Sequence, residues 1–135
     1  MASRLFVLLI VLTLALGCSS ETATKSPTAG TPQAHDGLED LARLLKTLQT
    51  QGGTPPRTPA EFAQHDVAFP AAGTLVQNGT ITYLPGGTID EAVTPPQLVA
   101  LQAGADTTGG WVLLSTGEVQ DLPAGEIAAL PRPRS

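Results

Sequence analysis

Gly109-Gly110-Trp111-Val112-Leu113-Leu114-Ser115-Thr116-Gly117-Glu118-Val119 is the stretch whose reading decides the fold. Trp111 to Leu114 is a continuous apolar run with no polar side, the composition of a strand covered on both faces. Thr116-Gly117 is a turn signal, and Glu118-Val119-Gln120-Asp121 resumes as a strand, so the stretch predicts a β-hairpin whose first strand lies inside a sheet. Trp111 is most economically the core anchor of that strand.

Upstream, a helix is predicted over 37–51. Leu38, Leu41, Leu45 and Leu48, with Ala42 and Leu44, recur at helical spacing and form one apolar stripe. Asp36 and Glu39 stand in the spacing of a capping box, Glu39 and Arg43 form a favourable i, i+4 pair, and Gly52-Gly53 with Pro55-Pro56 ends the element. A second, short helix is expected from Thr58, with Pro59 at its first position, Glu61 closing another box, Phe62 turned inward and a stop near His65. Thr74 to Leu84 is rich in β-branched and aromatic residues around Asn78-Gly79, which predicts a second hairpin, although its apolar residues divide between the two faces. Residues 94–103 fit a helix capped at Thr94 or a buried strand Leu98-Val99-Ala100-Leu101 equally well, since periodicity does not separate short apolar runs. Pro123 to Leu130 reads as a last helical turn or two that packs Ile127 and Leu130.

The other end of the chain speaks of location. Arg4 is a short basic region, Leu5 to Leu16 is an apolar run broken only by Thr13, and Ala15-Leu16-Gly17 places small residues before Cys18. This is the pattern of a cleaved signal peptide over 1–17, too short for a comfortable transmembrane span. Leu14-Ala15-Leu16-Gly17-Cys18 resembles the lipobox of bacterial lipoproteins, with Ala15 where leucine is usual. The resemblance implies that Cys18 carries a diacylglyceryl group and becomes the first residue of the mature chain. Two or more acyl chains on one cysteine make attachment stable where one alone is reversible. Ser19-Ser20, with no Asp after the cysteine, implies by the same resemblance the outer membrane, facing the periplasm or the cell surface.

Residues 19–35 contain no large apolar residue and nothing to offset the entropy of ordering, so 18–35 is expected to be a lipidated cysteine followed by a disordered tether. Seventeen such residues reach roughly 20–25 Å as a flexible coil. The folded unit is then 36–130, one small domain, with 131–135 as a flexible tail. Losing residues 1–17 removes Arg4 and leaves six basic against twelve acidic residues, a formal net charge of −6. An acidic chain with Arg43, Lys46 and Arg57 scattered has no basic face for nucleic acid, so no nucleic-acid partner is expected. One cysteine excludes an intramolecular disulfide framework.

The order of elements is similar to small lipoproteins of planctomycete bacteria. It resembles more loosely the soluble part of type II secretion pseudopilins: a leucine-striped helix, the Pro-rich turn Gly53 to Phe62, then a meander ending in Trp111 to Val119. The resemblance implies an α+β fold, an N-terminal amphipathic helix on a small antiparallel β-meander, and a strand at 98–102 beside 111–115. The long apolar pilin helix with its early Glu is absent, so filament assembly is not implied.

Residues able to do chemistry read as structural. His35 at the tether's end is expected to be solvated, and His65 beside Asp66 is not a catalytic pair without a nucleophile. Ser115 and Thr116 lie in a turn without a nucleophile elbow. Asp90, Glu91 and Asp106 are scattered, and a calcium site needs six to eight converging oxygens. Gly86-Gly87 and Gly109-Gly110 lack the Lys and helix start of a phosphate loop. No catalytic, metal or cofactor residues are therefore assigned. The expectation is a non-catalytic envelope lipoprotein, held to the membrane through Cys18, acting as a structural or interaction module for an envelope protein. The alternative is a small-ligand or ion-binding lipoprotein of a transport or secretion system, with Trp111 or Tyr83 lining a shallow site.

Overall fold

The computed structural model describes residues 30–134. The expected signal peptide, Cys18 and the expected tether as far as residue 29 lie outside the described residues. The fold is α+β: a four-stranded antiparallel meander whose strands lie side by side in chain order, with a long helix, a 3₁₀ segment and a short helix on one face and two short helices on the other.

Helix α1 spans Pro32–Thr50. It begins before the expected Asp36, because Thr31-Pro32 already supplies a cap and a first-turn proline. Thr31 Oγ1 accepts from Ala34 N at 3.3 Å. Asp36 and Glu39 are thereby interior helix residues rather than a capping box, and residues 32–35 belong to the helix, with Thr31 as its cap, rather than to a tether. At the other end the expected glycine stop takes a double-bonded form: Gly53 N donates to Leu48 O at 2.8 Å and Gly52 N to Gln49 O at 3.2 Å, with Gly52 at φ 71°. Leu38, Leu41, Leu44 and Leu45 are buried.

A 3₁₀ segment, Pro59–His65, stands where the short helix was expected and buries Phe62. Glu61 reaches back to Arg57 N (2.9 Å) and meets the Thr58 hydroxyl at 3.1 Å.

The first hairpin does not form. Residues 70–77 are helix α2 (Pro70–Gln77), and Asn78-Gly79 is its C-terminal stop rather than a strand turn, with Asn78 N bonded to Thr74 O at 3.0 Å. The apolar residues that split between two strand faces make sense on a helix: Ala72 and Val76, four apart, are both buried. Phe69 provides no side-chain cap for α2. The cap comes from α1, where Asp40 Oδ2 accepts from Ala71 N and Ala72 N, each at 3.1 Å.

Strand β1 (Ile81–Tyr83) pairs with β2 (Leu98–Gln102), which resolves the 94–103 ambiguity as a strand. β2 pairs with β3 (Gly110–Leu114), and β3 with β4 (Val119–Leu122). The β3–β4 hairpin is the one expected. Gly117 at φ 86° supplies the left-handed residue that closes its loop.

β3 is covered on both faces, as its apolar run implied. Leu113 packs under α1, while Val112 and Leu114 join Ile127 and Leu98 on the other side. That second layer is completed by α3 (Ala105–Thr108) and α4 (Ala124–Ala129). The stretch read as a tail is tied at its start, since Pro131 O accepts from Leu98 N at 2.8 Å. Among the described residues no helix is long and apolar enough to cross a membrane.

Candidate functional site

Two neighbouring surfaces concentrate polar groups, and both lie where α1 overlooks the β3–β4 hairpin. The first is built around Trp111. Trp111 and Asp121 are cross-strand partners, and both stand on the face that α1 covers. The Trp111 ring is only partly buried: it packs at the margin of the α1-side core rather than at its centre. His35 meets it edge-on, with ring centroids 4.6 Å apart and an interplanar angle of 70°. His35 is thus a half-buried packing residue of α1 and not the solvated end of a tether. Its nitrogens lie 3.4 Å from Asp36 Oδ1 and 3.7 Å from Glu39 Oε1.

The chain reaches this corner through Gly30. A Cβ there would come within 2.5 Å of Trp111 Nε1 and 2.9 Å of Asp121 Oδ2, so only glycine passes. Thr31 N then donates to Gln102 Oε1 at 3.1 Å. Among the described residues, Trp111 Nε1 and Asp121 Oδ1 are buried with no hydrogen-bond partner. A hollow of about 310 Å³ lies alongside, lined by Gly30, His35, Asp36 and Trp111.

The second surface is a groove of about 510 Å³ between α1 and the outer edge of β4. Ala42 and Val119 are apolar in it, Glu39, Arg43, Lys46 and Glu118 carry charge, and Gly117 and Gln120 complete it. β4 pairs only with β3, so its other edge is free among the described residues. The opposite edge of the sheet differs: β1 is three residues long and lies beside the segment Arg57–Pro59 across a cleft of about 170 Å³.

The other residues singled out by chemistry are placed elsewhere and hold the fold. The Ser115 hydroxyl accepts from Gln97 N at 2.9 Å and is buried, while Ser115 O accepts from Asp90 N at 2.7 Å. Asp66 is engaged by Gln77 Nε2 at 3.0 and 3.1 Å, so it does not face His65 as a pair. Asp90 closes a local turn through Ala92 N at 2.9 Å, and Asp106 lies in α3, a single helical turn. Among the described residues no three His, Cys, Asp or Glu side chains converge as metal ligands. Tyr83 lines the small cleft by β1, but its hydroxyl donates to Gly87 O at 2.7 Å, and burial pushes its phenol from 10.0 up to about 12. Phe62 packs edge-on against it at 5.4 Å.

No family model, curated protein or solved structure matches the chain.

Sequence reasoning missed two features of this region. The composition of 19–35 places His35 and Gly30 in a tether, yet Thr31-Pro32 is a legible helix start that brings His35 into the domain, with Gly30 next to the cap. The α1–β4 groove had no local signal, because its two walls are more than seventy residues apart in sequence.

Proposed function

We propose that the protein is an envelope lipoprotein, anchored through acylated Cys18 in the outer membrane, whose α+β head acts as a structural or protein-interaction module without catalysis. The observation that carries the reading is the apolar run Leu5 to Leu16 followed by Leu16-Gly17-Cys18. The resemblance to small bacterial lipoproteins supports the same anchor. For the head, the edge of β4 that is free among the described residues, beside a charged helix wall, supports an interaction role, because an unpaired edge is a template for strand addition. The engagement of Ser115, Asp66 and Asp40 in backbone and side-chain hydrogen bonds speaks against using them as reacting groups.

Membrane fractionation with palmitate labelling tests the anchor. Wild type is expected in the membrane fraction and labelled, and Cys18→Ser is expected to be soluble or unprocessed and unlabelled. A Cys18→Ser variant that stays with membranes as firmly as wild type would refute it.

A further inference from the structure

The rim of the α1–β4 groove is complementary to itself, and we propose that it is the contact face of a homodimer in which β4 pairs antiparallel with β4 of a second copy. The strand edge supplies the first half of the case. Leu114 N donates to Glu118 O at 3.0 Å, and the register continues through Val112↔Gln120 and Gly110↔Leu122. Backbone groups of Gln120 and Leu122 therefore point at β3, and those of Val119 and Asp121 point outward. A second copy with its Asp121 opposite Val119 exchanges hydrogen bonds at both outward residues. In that register a two-fold axis runs beside Gln120, and alternate side chains stay on their own faces of the joined sheet.

Charge supplies the second half. Asp36, Glu39, Arg43 and Lys46 are exposed and stand at spacings of three, four and three residues, one stripe of α1. Glu39, Arg43 and Lys46 line the groove, and Asp36 continues the line beside the Trp111 hollow. The signs run minus, minus, plus, plus, a pattern that reverses about its own centre. An antiparallel copy thus sets Asp36 against the partner's Lys46 and Glu39 against the partner's Arg43, each contact occurring twice. Within one chain these cations are underused: Arg43 lies 3.8 Å from Glu39 and 3.8 Å from Asp40, and Lys46 has no ion-pair partner among the described residues.

Distances agree with this pairing. α1 lies chiefly over β3, and strands are spaced about 4.8 Å apart, so joining two copies at β4 sets the α1 axes three spacings, about 14 Å, apart. That gap is wider than the 8–10 Å of packed helices, and long charged side chains reaching from both walls close it. The two-fold axis also keeps both copies of α1, and Gly30 of each copy, on one face of the joined sheet. Two anchored chains would then reach the same membrane, although the dimer itself needs no anchor.

Sedimentation equilibrium of the mature chain carrying Cys18→Ser tests the dimer independently of lipidation. The weight-average mass is expected to rise above that of one chain, toward twice that value, as protein concentration is raised to about 1 mM, the range in which weak complexes populate. Lys46→Glu turns two attractions into repulsions and is expected to weaken association by about tenfold. Adding Asp36→Lys to it restores the opposite charges and should restore the dimer. Asp121→Pro removes an outward N–H while leaving the β3–β4 bonds, and should give a folded monomer by circular dichroism. A wild type that is monomeric throughout, or a dimer indifferent to Lys46→Glu, overturns the proposal. So does a Lys46→Glu defect that Asp36→Lys leaves unrepaired.

Discussion

Removing the carboxylate of Asp40 should unfasten α2 from α1. Helix α2 starts at Pro70, so its second and third residues are Ala71 and Ala72, the two amides that a capping side chain normally serves. The side chain of Phe69, in the capping position, has no oxygen to offer, and Asp40 Oδ2 takes both bonds at 3.1 Å from a residue that is 8% exposed. Losing a cap costs about 0.5–2 kcal/mol, and hydrogen bonds to a charged group contribute about 1.5–3 kcal/mol. Asp40→Ala leaves two amides unserved near the core, so the expected loss is about 2–3 kcal/mol. This is a large part of the roughly 5–15 kcal/mol that holds a domain. Asp40→Asn keeps a carbonyl acceptor but not the charge at the helix N-terminus, and the expected loss falls to about 1 kcal/mol. Urea unfolding of the Cys18→Ser chain measures both, and hydrogen exchange at the amides of Ala71 and Ala72 localises the effect. If Asp40→Ala costs less than about 0.5 kcal/mol and those two amides exchange as in wild type, the remote cap is refuted.

Tyr83 gives an alkaline signature. Its phenol titrates at about 12 in the fold against 10.0 ordinarily, so the unfolded chain loses this proton first. The stability it contributes is complete below pH 10 and is lost as pH rises toward 12, by about 2–3 kcal/mol in all. Urea melts across that window should show this decline in wild type, and Tyr83→Phe should lack it. Equal slopes in the two proteins would contradict the assignment. Gly73→Ala drives a Cβ into the Asp66 carboxylate and should cost about 2 kcal/mol despite the better helix propensity of alanine. In an Asp66→Ala background the same change should cost little or stabilise. Additive costs in that double-mutant cycle would show that Asp66 is not what Gly73 accommodates.

The contrast between two turn signals shows where local reading holds. Thr116-Gly117 and Asn78-Gly79 look alike as strand turns, and each glycine adopts a positive φ, 86° and 80°. Only the first closes a hairpin. Gly79 instead follows a helix whose initiating cap lies on Asp40, more than thirty residues upstream, so no window around 70–84 contained its cause. The site behaves likewise. Trp111 and its strand were legible from the apolar run, while its contacts with His35, Gly30 and Asp121 depend on how α1 is laid across the sheet.

Sequence by itself determined the α+β class, the leucine stripe and glycine stop of α1, the β3–β4 hairpin and the short C-terminal helix. In each of these the periodicity, the turn residue or the breaker lies within a few positions of the element it specifies. The residue pattern on which the proposed anchor rests, Leu5 to Cys18, is equally local in sequence. Tertiary structure decided that 70–77 is a helix, that 98–102 is the strand the resemblance implied where periodicity left a helix open, that Trp111 sits at the core's margin, and that a charged groove runs beside a strand edge free among the described residues. Each depends on a partner distant in sequence: a carboxylate for two orphaned amides, neighbouring strands on both sides of an apolar run, and a helix wall facing a sheet edge. Such partners meet only after the chain has closed on itself, because burial and hydrogen-bond satisfaction are properties of the assembled layers.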